Sequence, residues 1–278
     1  MSLKALTVHL DDGPRCAARV RLAADLAGRF GGRVVGIAAT GVPDVILTMN
    51  SAVPDGVELV GLTAAYLRKK AEDVAQAFDA QCRTLGAAFE SRVVVEEAVD
   101  AMVKHGRCSD LIVVGQTNRS LPADGVAFDF PQQVLLHAGP PLLVVPYAGT
   151  FASVGHTVLV AWKDTPEAAN ALRSALPLLR LAQRVLLVEV GEVRDAPASD
   201  ESLDLAASWL KSHGVASEAH REIDLAGVAD QLLSRAAEIG ADLVVSGGYG
   251  HSRLREWVLG GVTRHLLKHM TVPTLFSH

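Results

Sequence analysis

Short, uninterrupted apolar runs alternate along this chain with longer stretches whose apolar positions recur every three to four residues. Runs such as LIVVG (Leu111–Gly115) and LLVVP (Leu142–Pro146) lack polar alternation, as strands covered on both faces do. In the second half the pattern predicts strands over Thr157–Trp162, Arg184–Val190, Leu243–Ser246 and Pro273–Phe276, with a weaker one near Glu218–Glu222. It predicts helices over Glu167–Leu179, Ser199–His213, Leu225–Ile239 and Val262–His269. Strands and helices in this order predict an α/β, Rossmann-like architecture: a doubly wound parallel sheet with right-handed crossovers.

The pattern occurs twice. Shifted by 132 positions, Asp110–Leu143 falls on Asp242–Leu275 without a gap, with 10 identities in 34 positions. Asp110/Asp242, Gly115/Gly247, Ser120/Ser252, His137/His269 and Pro141/Pro273 are among them. A shift of 152 aligns the starts, placing Thr7–Pro14 on Leu159–Pro166. The 20-residue difference between the shifts falls around Gly41–Gly61, whose Gly/Pro punctuation predicts a long loop or lid. Small and polar residues over Pro146–His156 mark a junction. Two tandem domains are therefore expected, 1–147 and 153–278.

In open parallel sheets, ligands bind beyond the carboxyl ends of the strands, where strand order reverses. The second half has a glycine-rich stretch there, Gly247–Leu267, directly after the Leu243–Ser246 strand. Gly247 and Gly250 are three apart, and Gly260–Gly261 open the last predicted helix. Glycine lets backbone N–H groups approach an anion, and a helix N-terminus adds unpaired donors and a favourable dipole. Leu254, Trp257 and Val258 can anchor the excursion between the glycine pairs. No GxxxxGK[ST] sequence and no GxGxxG after a strand occurs, which excludes P-loop and dinucleotide readings.

Gly247, Gly250 and Gly260 in a Gly-x2-Gly-x9-Gly pattern, with Val262–Thr263 after it and ADLVV before it, resemble the universal stress protein family. VPTLF at the end is similar to that family's last strand, and the resemblance extends in outline over both halves. It implies a tandem universal stress protein (UspA-like) with the adenine nucleotide alpha hydrolase-like fold. It implies a stress-response protein that binds ATP or AMP in its C-terminal domain, with any Mg bound only through the nucleotide. Ala161, Trp162, Lys163 and Asp164 would face base and ribose, with Val190 giving backbone contact to the base. Ser246, Gly247, Gly250, His251, Gly260, Gly261, Val262 and Thr263 would surround the phosphates. By the same resemblance the halves would pair through Leu142–Val145 and Thr274–Phe276 as an intramolecular pseudo-dimer, with a homodimer as a further assembly.

Two residues depart from the family's ATP-binding pattern. Gly261 stands where Ser or Thr is usual, and Lys163 where an acid is usual. An ammonium offers no acceptor to a ribose hydroxyl or adenine amine, so Asp164 would serve instead, or Lys163 would reach a phosphate. The first half departs further. Gly250 becomes Asn118, and Gly260–Gly261 become Phe128–Asp129, so no nucleotide is expected there. Asp11 and Asp12 remain at the end of its first strand for a different ligand.

Composition narrows the partners. A net charge of −5 and 5% aromatic residues argue against nucleic acid and anionic membranes. No apolar run approaches the ~20 residues of a membrane span. Cys16, Cys82 and Cys108 are odd in number and lack a CxxC, so buried free thiols in a reducing, cytoplasmic setting are expected. The start, MSLKALTVHLDDG, has no signal pattern. His265 and His269 are four apart on the last helix, but no third metal ligand is evident. Arg253, Arg255 and Arg264 flank the glycine stretch as solvated charges. Trp162 stacks on a base or closes the core between the halves, the latter being favoured. No GxSxG elbow or Ser-His-Asp set occurs, so binding is expected rather than catalysis. A nucleotide-independent module for a protein or another small molecule is one alternative, and a slow ATP hydrolase another.

Overall fold

The computed structural model describes residues 2–41, 56–117, 129–191, 200–225, 227–250 and 261–278. The chain divides into a unit of Leu3–Pro140 and a unit containing Pro141–His278. In the first, β1 (Ala5–Leu10), α1 (Cys16–Arg29), β2 (Arg33–Ala39) and α2 (Gly56–Leu85) are followed by β3 (Phe89–Val94), α3 (Ala98–Gly106), β4 (Leu111–Gly115) and α4 (Phe130–Ala138). Its strands are parallel in the order β3-β2-β1-β4.

The second unit starts with β5 (Leu142–Val145), β6 (Thr157–Trp162), α5 (Pro166–Leu179), β7 (Arg184–Gly191) and α6 (Asp200–Ser212). It continues with β8 (Glu218–Ile223), α7 (Val228–Glu238), β9 (Leu243–Gly247), α8 (Gly261–His269) and β10 (Thr274–Ser277). The strand order is β5-β10-β9-β6-β7-β8, parallel except for β5, which runs antiparallel to β10. The α/β class with its parallel, doubly wound sheet is as expected. So is the pairing of Leu142–Val145 with Thr274–Phe276, although β5, which the repeat assigns to the first copy, belongs to the second unit.

The central strands explain the apolar runs. Leu111, Ile112, Val113 and Val114 are all fully buried, as are Val158, Leu159, Leu243 and Val245. With helices on both faces, neither side of these strands has a polar position. Helix starts follow local chemistry: the Thr165 hydroxyl accepts from Ala168 N (3.3 Å), and Pro166 fills the first turn of α5.

The expected long loop over Gly41–Gly61 is corrected in part. Gly56–Gly61 are the first turns of α2, while 42–55 lie outside the described residues. Eleven of the 17 residues in VELVGLTAAYLRKKAED are good helix formers, and Gly56 and Gly61 at about 1 kcal/mol each do not break so long a helix. Much of the extra length is therefore helical, since α2 has 30 residues against 13 in α6. Both helices stop at a left-handed glycine, Gly86 and Gly214, with matching bonds from Ala87 N to Cys82 O and Val215 N to Leu210 O. That stop fixes the local shift between the two helices at 128 residues.

The repeated aspartates have one structural task. Asp110 accepts from the backbone N–H of Lys4 (2.7 Å) and Ala5 (2.9 Å), just where β1 begins. Asp242 accepts from Gly155, His156 and Thr157 at 3.0–3.1 Å before β6, and lies 2.9 Å from His156 Nδ1. Each carboxylate ties the entry of the unit's central strand to the helix-to-strand turn beside it. Asp242→Ala should lower stability by roughly 2–3 kcal/mol, and Asp110→Ala, with fewer bonds, by less. Urea unfolding followed by far-UV circular dichroism checks the order.

Candidate functional site at the strand-order reversal

In the second unit the strand order reverses between β6 and β9, and the glycine stretch opens at that crevice. Ala161 and Ser246 are register partners at the strand ends. Gly247 follows, so close to α5 that a Cβ there would lie 2.7 Å from Ala168 N and 2.8 Å from Glu167 C. Only glycine fits. Gly250 follows the buried Tyr249, whose φ of 54° is left-handed for a non-glycine residue. Tyr249 N donates to the Oγ1 of buried Thr263 (3.3 Å), and Gly248 N donates to Ser277 O (2.8 Å). Gly261 begins α8 with an ordinary φ and, among the described residues, nothing within 4 Å of where a Cβ would stand; Val262 beside it is exposed.

The crevice thus gathers Ala161, Ser246, Gly247, Gly250, Gly261, Val262 and Thr263. Val190, at the end of β7, packs with Ala161 against the Leu159–Leu186–Val188–Leu232 cluster. Lys163 and Asp164 are exposed. His251 and Gly260 lie outside the described residues, as do Arg253, Leu254, Arg255, Trp257 and Val258. The favoured place for Trp162, between the halves, is corrected. Its indole N–H donates to Ser202 Oγ (2.9 Å), and it lines a cleft between α5 and α6 with Asp164, entirely within the second unit. His265 Nε2 lies 2.8 Å from Asp230 Oδ1, and the ring stacks on His269 at 4.1 Å. Among the described residues, no group of three metal-ligating side chains converges.

Sequence reading missed Glu167. It is 4% exposed in the first turn of α5, and its Oε2 would lie 3.4 Å from a Cβ on Gly250. An acid in a helix's first turn is ordinary dipole chemistry, so nothing local announced that it would face the glycines.

The corresponding place in the first unit is filled. Arg19, 2% exposed, donates from Nε to His9 O (2.9 Å) and from Nη2 to Asp11 Oδ2 (2.8 Å). Its Nη1 stands against Gly115, 2.6 Å from where a Cβ would be. His9 Nδ1 lies 3.4 Å from the same carboxylate, and its ring rests on buried Phe130 at 4.6 Å. Burial by itself would raise the Asp11 carboxyl, but the Arg19 guanidinium, aided by His9, overrides it and holds Asp11 well below the usual range. Burial depresses the His9 imidazole, against the opposing pull of Asp11. Asp129 accepts from Gln133 Nε2 (2.7 Å), while Asn118 and Phe128 lie outside the described residues. Under the 152-residue shift Arg19 falls on Ala171, which is buried on α5. A guanidinium fills one copy; the other has a methyl group.

Two doubly wound units, one with a glycine-lined crevice at its switch point, define a Rossmann-like α/β protein. Residues 155–278 match the model of the Universal stress protein family. It is 31% identical over 109 residues to Universal stress protein Slr1230 of Synechocystis sp., covering 39% of this chain. The matched stretch spans about a third (34%) of that relative's length. In fold it is similar to a universal stress protein from Archaeoglobus fulgidus, with a TM-score of 0.73 and 17% identity over 98% of this chain and 97% of that one. A putative universal stress protein from Pseudomonas aeruginosa is similar too, with a TM-score of 0.60 and 13% identity over 99% of this chain and 93% of that one.

Asp11→Asn should cost about 3–5 kcal/mol, because it leaves the Arg19 charge buried without a counter-ion, whereas the double variant Asp11→Asn/Arg19→Met should recover most of that loss. The depressed Asp11 contributes stability that is full above its unfolded pKa of about 3.9 and is lost as pH falls toward the native value. Between pH 4 and 2, wild-type stability should therefore fall more steeply than that of the double variant, as read by urea titrations at each pH.

Proposed function

We propose that this chain is a stress-response protein whose second unit binds an adenine nucleotide, ATP or AMP, as a regulatory ligand without turning it over. The observation that carries the reading is the crevice itself. Gly247 is pressed onto the first turn of α5, while Gly261 opens α8 with, among the described residues, no atom within 4 Å of where a Cβ would stand. Backbone donors can approach phosphate there without obstruction. Gly247, Gly250, Gly260, Gly261, Val262 and Thr263 would hold the phosphates, with any Mg bound through the nucleotide. Ala161, Ser246 and Val190 would form the base side, and exposed Lys163 would reach a phosphate oxygen. Nucleotide held at the glycine stretch would change the adjacent surface and what protein it contacts in the cytoplasm. The shift available is limited to the ligand's differential affinity for the two states.

A second reading, a nucleotide-independent binding module, draws on Glu167. A buried carboxylate beside Gly250 repels phosphate, and Gly261 supplies no hydroxyl. Two substitutions separate the readings. Gly261→Ser fits the open space and adds a hydroxyl donor, so ATP affinity should rise about tenfold or more. Glu167→Gln removes the like charge and should also tighten ATP. Native mass spectrometry of freshly purified protein, then calorimetry with ATP and AMP, provides the measurement. The nucleotide reading fails if no nucleotide co-purifies and neither wild type nor either variant binds at millimolar ATP.

A further inference from the structure

Each unit also has a cleft between its first two helices, and the two clefts use the same positions of the repeat. In the second unit a cavity of about 300 Å³ lies between α5 and α6. Under the 152-residue shift its Asp164, Ala169 and Leu172 correspond to Asp12, Ala17 and Val20. Under the 128-residue shift set by Gly86 and Gly214, its Glu201, Leu205 and Trp209 correspond to Asp73, Ala77 and Gln81. All six counterparts line the first unit's cavity of about 630 Å³ between α1 and α2.

The copies share two acids but differ in what holds them. In the first unit Lys70 Nζ lies 2.8 Å from Asp12 Oδ2, and Lys69 pairs with Asp73. Both lysines lie on α2. At their register the second half carries Pro197 and Ala198, which lie outside the described residues. Among the described residues no cation pairs with Asp164 or Glu201. Arg173, also on the lining, donates to Asn170 Oδ1 of its own helix (3.4 Å). Two indoles stand where the first unit has Leu10 and Gln81: Trp162, held by Ser202, and Trp209.

We propose that the α5/α6 cleft is a site for a small organic cation, an alkyl- or arylammonium. Its charge takes, at Asp164 and Glu201, the place that lysine ammonium groups hold at Asp12 and Asp73. Its apolar body lies among Trp162, Leu172 and Trp209. Indole faces attract cations and a carboxylate completes the charge-assisted bond, while the apolar wall supplies the rest of the affinity. The site takes Trp162 and Asp164 out of the set expected to face base and ribose and lies apart from the phosphate-side glycines. None of the crevice glycines lines it, and its ligand needs no phosphate.

The probe is phenethylammonium, titrated calorimetrically into the full chain, with neutral 2-phenylethanol and anionic phenylacetate as isosteres. The ammonium should bind saturably, at least about tenfold tighter than the alcohol, with phenylacetate weaker still. Asp164→Asn should weaken it about tenfold. Trp209→Gln, which installs the residue the first unit has at that position, should weaken it several-fold with the melting temperature unchanged. No saturation by about 10 mM in the wild type would overturn the site. So would equal affinity for either isostere, or full affinity in both folded variants. None of these outcomes depends on whether ATP binds.

Discussion

The second unit is organised around a contact that leaves no room for a side chain, the end of β9 against the first turn of α5. A Cβ on Gly247 would collide with the backbone of Glu167 and Ala168, so the strand and the helix start lock together through main chain alone. This close approach fixes where the Thr165 cap sits, which way Glu167 enters, and how far the crevice is from the α5/α6 cleft. Overpacking at such a contact cannot be relieved by a rotamer change, because the atoms in the way are backbone.

The first unit meets the same junction differently. At Gly115 the nearest atom to a would-be Cβ is Arg19 Nη1, a side chain, not the backbone of α1. Arg19 is wholly buried, and burying a lone guanidinium would cost several kcal/mol. Asp11 and the carbonyl of His9 make it tolerable. The anion at this crevice is thus a side chain of the unit itself, and a phosphate entering there would have to displace a carboxylate held at 2.8 Å.

The repeat made most of the fold legible. Apolar runs located every strand of the second unit except the polar, exposed β8 to within one residue at each end, because strands covered on both faces leave no polar position to confuse the period. The identity of Asp110 and Asp242 was visible, but its reason was not, since backbone capping across turns has no local signature. Glu167 and Arg19 were the real omissions. Each looks like an ordinary helix charge in sequence, and only the packing of α5 on β9 or α1 on β4 turns it inward. Gly56–Gly61 read as loop because glycine was weighted above the helix-forming run that follows.

An internal repeat also serves as its own control. Positions that line a cleft in both copies are set by the architecture, whereas positions that differ report what each copy holds. In the first copy α2 brings lysines to the shared acids, so that cleft balances its own charge. In the second copy the lysine positions are Pro197 and Ala198 in sequence, and tryptophans occupy the wall. The α5 helix borders both features of that unit, with Glu167 toward the glycines and Ala169, Leu172 and Arg173 toward the cleft. Asp164 immediately precedes the Thr165 cap, so both features of the unit are built on one helix start, the one that Gly247 touches.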